Sequence, residues 1–477
     1  MAIDMSERAV SALQAALQKG IEAAHIKNEP MLVGNVFAVS NSANLIQMFA
    51  TESAVNAYKT RLFFHNGKTG VTRLGFGAAV EQEFHGADAV RQLKQSWRDV
   101  STSLRLDDGV HAQFFAGFPF ALGQKRQDPW NAWPDGWLVL PEFVLEQSES
   151  GTWLTWYTLV SDGMNAQQMA SALWSRANIL LQQSTVPANM SGETRVDRSD
   201  QKQTVLSTHL AMSREQWEDV LSGAISDIKR GEFHKVVLSR REDYQCSERV
   251  DLAAALSALQ RDYADSTVFA IVRDGSTFLG ATPEHLVAVQ GDAAFIDCLA
   301  GTAPRGEGLD DDNALGTRLL ASEKDLEEHR YVLHGIFDDI ADVALDINAP
   351  QSPILRRLKN VQHLYTPVTV DLKDHASILD LVMRLHPTPA VCGLPREAAK
   401  SAITAREAGD RGYYAGPIGW FDEGGNGTFA VALRCALIRD NTAYLYAGVG
   451  IVGTSDPAAE FTETQWKLQP MKRALNL

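Results

Sequence analysis

The chain has 477 residues, 45% hydrophobic and 22% charged, the balance of a globular protein with room for two or three folding units. It carries 44 basic against 59 acidic residues, a net charge of −15, which excludes a surface built for nucleic acid or anionic membrane, since both demand basic patches. An anionic ligand would therefore need local basic groups or a metal.

The N-terminus lacks the basic-then-apolar order of a signal peptide, and no run of about 18 apolar residues occurs, so the expectation is a cytoplasmic protein with no membrane span. Ser6 is predicted to cap a helix whose apolar positions Val10, Leu13, Ala16, Leu17 and Ile21 recur with a 3.6-residue period. Strand-like stretches follow at 31–40, 60–67 and 72–81. From 108 to 160 the chain is rich in aromatic and turn residues and alternates as antiparallel strands do. A helix is predicted over 166–183. The polar, turn-rich stretch from 184 to 205 reads equally as a linker between two halves or as a long surface loop within one core. On either reading, residues 1–205 form a strand-rich region packing on the core, and residues 206–477 carry the chemistry.

The second half opens with an amphipathic helix at 214–232 and then alternates strands and helices. KVVLSRR, VFAIVRD, FLGATP, FAVALRCALI and YLYAGVGIV read as strands, while 314–344 and 457–475 read as long helices. The expected fold is α+β, with large antiparallel or mixed sheets and flanking helices. Cys246, Cys298, Cys392 and Cys435 are not spaced like a zinc knuckle and read as buried reduced thiols.

Four features bear on chemistry. Asp325 and Glu328 project from one helix face, and Glu460, Glu463 and Lys467 share a face of the last helix. Such acidic pairs are common on solvated helices. Two brought together repel, and a divalent cation with oxygen-only ligands, Mg²⁺ above all, removes that penalty. Lys235 and Arg434 lie in apolar strands; a desolvated lysine suits a general base, and an arginine offers a fork for a carboxylate, although either could face solvent from an edge strand. YYAGPIGW and YAGVGIVG are glycine-rich strand ends that permit close backbone approach to a ligand. Glu284 in FLGATPEHLV is a lone carboxylate near a strand end, as compatible with a helix cap as with a catalytic acid.

In order along residues 210–472, the stretches FHKVVLSR, FLGATPEHL, LAGTAPRG, LLASEKDLEEH, VQHL, LHPTPAVCGLP, RGYYAGPIGW, ALRCALI and AGVGIVGTSDPAAEFTETQWK resemble the chorismate-utilising enzyme family. The resemblance implies that Glu328 and Glu463 hold Mg²⁺, with Asp325 and Glu460 supporting through water; most members have glutamate where Asp325 stands. It implies that the ion binds the ring carboxylate of chorismate. Tyr414, Arg434, Lys467 and the backbone at Gly448 would hold the enolpyruvyl carboxylate, with Gly301, Thr302 and His363 around the ring.

Within the family the chain is most similar to isochorismate synthases. The resemblance implies that Lys235 activates water for attack on C2 and that Glu284 protonates the leaving C4 hydroxyl. Burial is expected to push the lysine pKa down and the glutamate pKa up. LHPTPAV is similar to isochorismate synthases, and Ala390 stands where other members tend to have Thr or Ser. No glutaminase partner is implied. The N-terminal length and Trp-rich hairpins look like the menaquinone-pathway type; salicylate synthases and siderophore-type isochorismate synthases are the competing readings.

Overall fold

The computed structural model describes residues 2–39, 44–107, 109–181, 203–357, 361–374 and 376–477. Runs of β-branched and aromatic residues became strands, and the alternating faces of those strands had to be covered on both sides. Among the described residues the strands assemble into a 13-stranded and a 10-stranded sheet. Pairing is antiparallel throughout the larger sheet except where Met31–Val39 runs parallel to Leu104–Leu106. The expected α+β architecture is what forms.

Strands from both sides of residue 205 share each sheet. In the larger one, Arg61–Asn66 pairs with Thr267–Arg273, from Arg61↔Val272 to Asn66↔Thr267. In the smaller one, Phe114–Gly117 pairs with Pro417–Phe421. The polar stretch at 184–205 falls mostly outside the described residues.

One hydrophobic cluster joins side chains of the two sheets, including Phe64, Phe269 and Phe278 from the larger and Phe115, Ile418 and Phe429 from the smaller. A second lies on the other side of the larger sheet, where Leu17, Leu173, Leu256, Leu259 and Leu468 bring helices onto Phe63, Leu145 and Leu445. All four cysteines are buried and unpaired. Among the described residues no helix is long and apolar enough to cross a membrane.

Three local readings need correction. The first helix runs Ala2–Lys27, so Ser6 lies inside it rather than at its cap. The long helix expected at 314–344 is two helices, Leu309–Ala321 and Glu323–Ile340. Ser322 between them has extended backbone (ψ 105°), and its hydroxyl accepts from the Asp325 N–H, so it caps a new helix. The apolar pattern runs through this break, which is why periodicity alone concealed it.

The third correction concerns FAVALRCALI. It is not one strand but two, Gly427–Val431 in the smaller sheet and Cys435–Arg439 in the larger. Arg434 lies in the gap with a left-handed backbone (φ 47°), not in a strand interior. Beside it a second strand pair makes the same transfer. Ser276–Thr282 belongs to the larger sheet and His285–Gln290 to the smaller, with Glu284 in the gap. The two gaps are stitched together, since the Val431 N–H donates to the Glu284 carbonyl (3.0 Å) and the Thr282 hydroxyl to the Val431 carbonyl (2.5 Å). Both stretches leave their ladders here, so Glu284 and Arg434 have no cross-strand partner in either sheet among the described residues.

Candidate active site

Lys235 opens the strand Lys235–Cys246, whose register with Thr442–Ile451 sets Val237 opposite Gly450 and Ser239 opposite Gly448. The glycines keep this surface open. A Cβ at Gly450 would lie 3.1 Å from Lys235 Cε, and one at Gly448 would lie 2.8 Å from the Tyr414 hydroxyl. Tyr414 is buried and stacks on Tyr446 at 5.3 Å, so its ring is fixed from behind. Burial pushes its hydroxyl well above the ordinary tyrosine range, which keeps it a neutral hydrogen-bonding group.

Two acidic helix faces meet this strand pair. Lys235 Nζ donates to Glu328 Oε1 at 3.1 Å. Lys467 Nζ pairs with Glu463 Oε1 at 2.8 Å and donates to the Gly448 carbonyl at 3.0 Å. Asp325, Glu328, Glu460 and Glu463 are all half-buried, while Glu323 and Glu327 of the same helix are exposed. The acidic faces are therefore partly shielded from bulk water. Asp325 is drawn into the helix cap, where its carboxylate accepts from the Ser322 hydroxyl. Glu460 is held above the usual carboxylate range, chiefly by burial and then by its neighbour Glu463, against a hydrogen bond from Ser455.

Glu284 keeps partial solvent contact as a residue, yet its carboxyl lies among enough protein that burial pushes its pKa up to about 7. A hydrogen bond from the Thr388 hydroxyl to Oε1 (3.2 Å) and the charges of Lys235 and Lys467 pull the other way. Those two lysines are therefore close enough to act on it. His363 is pushed down to about 4 by burial, opposed by a hydrogen bond with the Gly301 backbone and reinforced by Lys467, Arg356 and Arg434. It is thus a neutral ring at ordinary pH, and its Nδ1 meets the Thr302 hydroxyl at 2.9 Å. Gly301 is the extra residue of a bulge between Ala300 and Thr302, with φ 77°, a backbone that favours glycine. A Cβ there would also lie 3.2 Å from Asp325 Cβ.

Arg434 is largely enclosed, burial lowers its pKa, and no carboxylate pairs with its guanidinium among the described residues. A desolvated guanidinium without an anion is poised to receive one. Of the expected site residues, Ala390 alone shows no recorded contact with another; it is exposed, in the turn after His386. Sequence reasoning passed over Thr388, Ser322 and Ser455. Thr388 depends on a partner distant in sequence, Ser322 is a cap between two helices that share one apolar spacing, and Ser455 lies just before the last helix, with no pattern of its own to mark it.

Among the described residues no three His, Cys, Asp or Glu groups stand close enough together to hold an ion by themselves. Mg²⁺ needs only one or two protein carboxylates when ligand oxygens and water complete its octahedron. Glu328 and Glu463, within 3.1 and 2.8 Å of the Lys235 and Lys467 nitrogens, carry carboxylates of the kind that could take such a place.

Lys235, the Glu284 carboxyl and an arginine with no carboxylate partner among the described residues thus lie beside two acidic helix faces, where the chain passes from one sheet to the other. Comparison with known proteins places the chain. Residues 17–476 match the chorismate binding enzyme family, and the chain belongs to that family of enzymes. It is 34% identical to the isochorismate synthase MenF of Bacillus subtilis, over 87% of this chain and 88% of that one. It is equally 34% identical to the salicylate biosynthesis isochorismate synthase of Pseudomonas aeruginosa, over 98% and 94%. Its fold resembles that of the menaquinone-specific isochorismate synthase MenF of Escherichia coli, with a TM-score of 0.76 over 96% of this chain and all of that one, at 22% identity.

Proposed function

We propose that this enzyme is an isochorismate synthase that converts chorismate to isochorismate reversibly, adding water at C2 and releasing the C4 hydroxyl. The observation that carries the reading is a base candidate and an acid candidate in one cleft: Lys235, and a Glu284 carboxyl that holds its proton up to about pH 7. Lys235 takes a proton from the attacking water, and Glu284 gives one to the departing hydroxyl, which leaves as water. The ring double bonds shift and no atom is gained or lost. The unpaired Arg434, with the Tyr414 hydroxyl, Lys467 and the Gly448 backbone, holds the enolpyruvyl carboxylate. Gly301, Thr302 and the neutral His363 border the ring, while the exposed Ala390 stands apart from them.

Mg²⁺ is the cofactor in this reading, held by Glu328 and Glu463 with Asp325 and Glu460 acting through water. When bound it supplies positive charge that fixes and stabilises the ring carboxylate. Asp325, already engaged by Ser322, suits a supporting place better than a direct ligand. No glutaminase subunit enters the proposal, since water is the nucleophile.

Menaquinone synthesis is the proposed destination of the product, supported by 34% identity to the Bacillus subtilis MenF over 87% of this chain. The equal identity to a salicylate biosynthesis isochorismate synthase favours a second reading, supply of isochorismate for salicylate. Disruption of the gene decides: loss of menaquinone supports the first, and loss of salicylate with menaquinone intact supports the second. Catalysis is tested with purified enzyme, chorismate and Mg²⁺, following product and ammonia dependence; an ammonia-requiring reaction would remove the water-based reading.

A further inference from the structure

Glu284 has two carboxyl oxygens, and an acid that donates to one substrate atom must present a defined one. Oε1 accepts from the Thr388 hydroxyl at 3.2 Å. No partner of Oε2 is recorded among the described residues. The backbone of Glu284 is pinned on both sides, with its N–H donating to the Thr282 hydroxyl at 3.2 Å and its carbonyl accepting from Val431. The remaining freedom is rotation of the side chain, which the Thr388 contact removes.

The loop that delivers Thr388 is itself fixed. His386 Nε2 donates to the Phe120 carbonyl at 3.0 Å, leaving the other ring nitrogen as the acceptor. The Thr388 carbonyl receives the N–H groups of Val391 and Cys392 (3.1 and 2.9 Å). The Cys392 carbonyl receives the Val237 N–H at 2.8 Å, and Gly393 and Leu394 pair with Val236 and Lys235. One short segment thus touches the acid at one end and the strand that bears Lys235 at the other.

We propose that Thr388 is a positioning residue for the acid: its hydroxyl occupies Oε1, so that Oε2 carries the proton and faces the substrate. The inference rests on the reading of Glu284 as the acid. In the step, the Oε2–H bond breaks, the proton passes to the C4 oxygen as the C4–O bond breaks, and water departs. Glu284 is left as a carboxylate, and the Thr388 hydrogen bond becomes charge-assisted and stronger as that charge develops. Thr388 therefore favours the transition state over the ground state and sharpens geometry as well. Lys235 from its strand, Lys467 from the last helix and the buried Tyr414 hydroxyl also face Glu284, and none of them is altered by changes at 388.

The experiment uses the full chain with Thr388→Val, Thr388→Ala, Thr388→Ser and Glu284→Gln. The hydroxyl-free variants should lose about tenfold or more in kcat, the worth of a hydrogen bond to a charged group, with KM for chorismate within about twofold. The alkaline limb of their pH profile should move upward, because a donor that favours the carboxylate is gone. Difference infrared titration of the Glu284 carboxyl, assigned by its absence in Glu284→Gln, should show the same upward movement without turnover. Thr388→Ser should restore both quantities. Wild-type kcat and limb in Thr388→Val and Thr388→Ala overturn the inference, as does a Thr388→Ser that fails like the valine variant. If Glu284→Gln is inactive while Thr388→Val titrates as wild type, the inference alone falls; if Glu284→Gln turns over normally, the acid reading falls and takes the inference with it.

Discussion

At the scale of single residues, catalysis turns on a carboxyl that must hold its proton. Glu284 retains its proton up to about 7 because burial outweighs Thr388, Lys235 and Lys467. The free enzyme should therefore lose kcat/KM as pH rises through about 7, a limb absent from any residual activity of Glu284→Gln. Lys235→Ala and Glu284→Ala should each cut turnover by at least about 100-fold while calorimetric chorismate binding changes little, since each removes a proton transfer rather than an anchor. The same burial has a cost in stability. Below the ordinary carboxylate value of 4.5 both folded and unfolded chains hold the proton. Between there and about 7 the unfolded chain releases it freely and the folded one does not, so stability falls across that window. Glu284→Gln should be more stable than wild type at pH 8, by about 1–3 kcal/mol allowing for solvent in the cleft, and equal to it near pH 4. Chemical denaturation at the two pH values measures this. Lys235 and Glu284 stood out in sequence as charges beside apolar strands. Thr388 did not, because its partner is 104 residues away and a threonine in a turn has no chemistry of its own.

At the scale of elements, the helix faces carry the metal hypothesis. Their acidic spacing is legible from i, i+3 periodicity, but whether such a face meets solvent or a cleft depends on packing that periodicity does not encode. Asp325, Glu328, Glu460 and Glu463 are half-buried, with Lys235 beside Glu328 and Lys467 beside Glu463. EDTA should abolish turnover and Mg²⁺ restore it. Glu328→Gln and Glu463→Gln should each weaken Mg²⁺ binding in titration calorimetry by tenfold or more, about the worth of one charged ligand. Ser322→Ala removes the cap that starts the Glu323–Ile340 helix and the donor that engages Asp325. It should lower stability by about 1 kcal/mol and also weaken Mg²⁺ binding, a pairing that a loss of packing elsewhere would not give. The break at Ser322 leaves Leu315, Leu319 and Leu326 at helical spacing, and at Arg434 buried apolar residues stand on both sides, so the apolar pattern does not report continuity.

At the scale of the whole molecule, the strands were legible one by one, yet their partners were not. Alternation marks Arg61–Asn66 and Thr267–Arg273 as strands but says nothing of their joining, because pairing across 200 residues leaves no local trace. The consequence is that residues 206–477, taken alone, lack six of the 13 strands of the larger sheet and three of the ten of the smaller. Expressed without residues 1–205, they should aggregate or show no cooperative unfolding by circular dichroism; a monomeric fragment with wild-type turnover would show instead that the first half is dispensable. Sharing of strands also explains the site's location. Two neighbouring chains change sheets at Glu284 and Arg434, and only a molecule with two full sheets can make that gap. The most direct test of the account is the product itself. Purified enzyme with chorismate and Mg²⁺, without ammonia, should yield isochorismate as the sole product by chromatography, and the reverse conversion from isochorismate. Salicylate with pyruvate, an amino product only when ammonia is supplied, or unchanged chorismate would each contradict it.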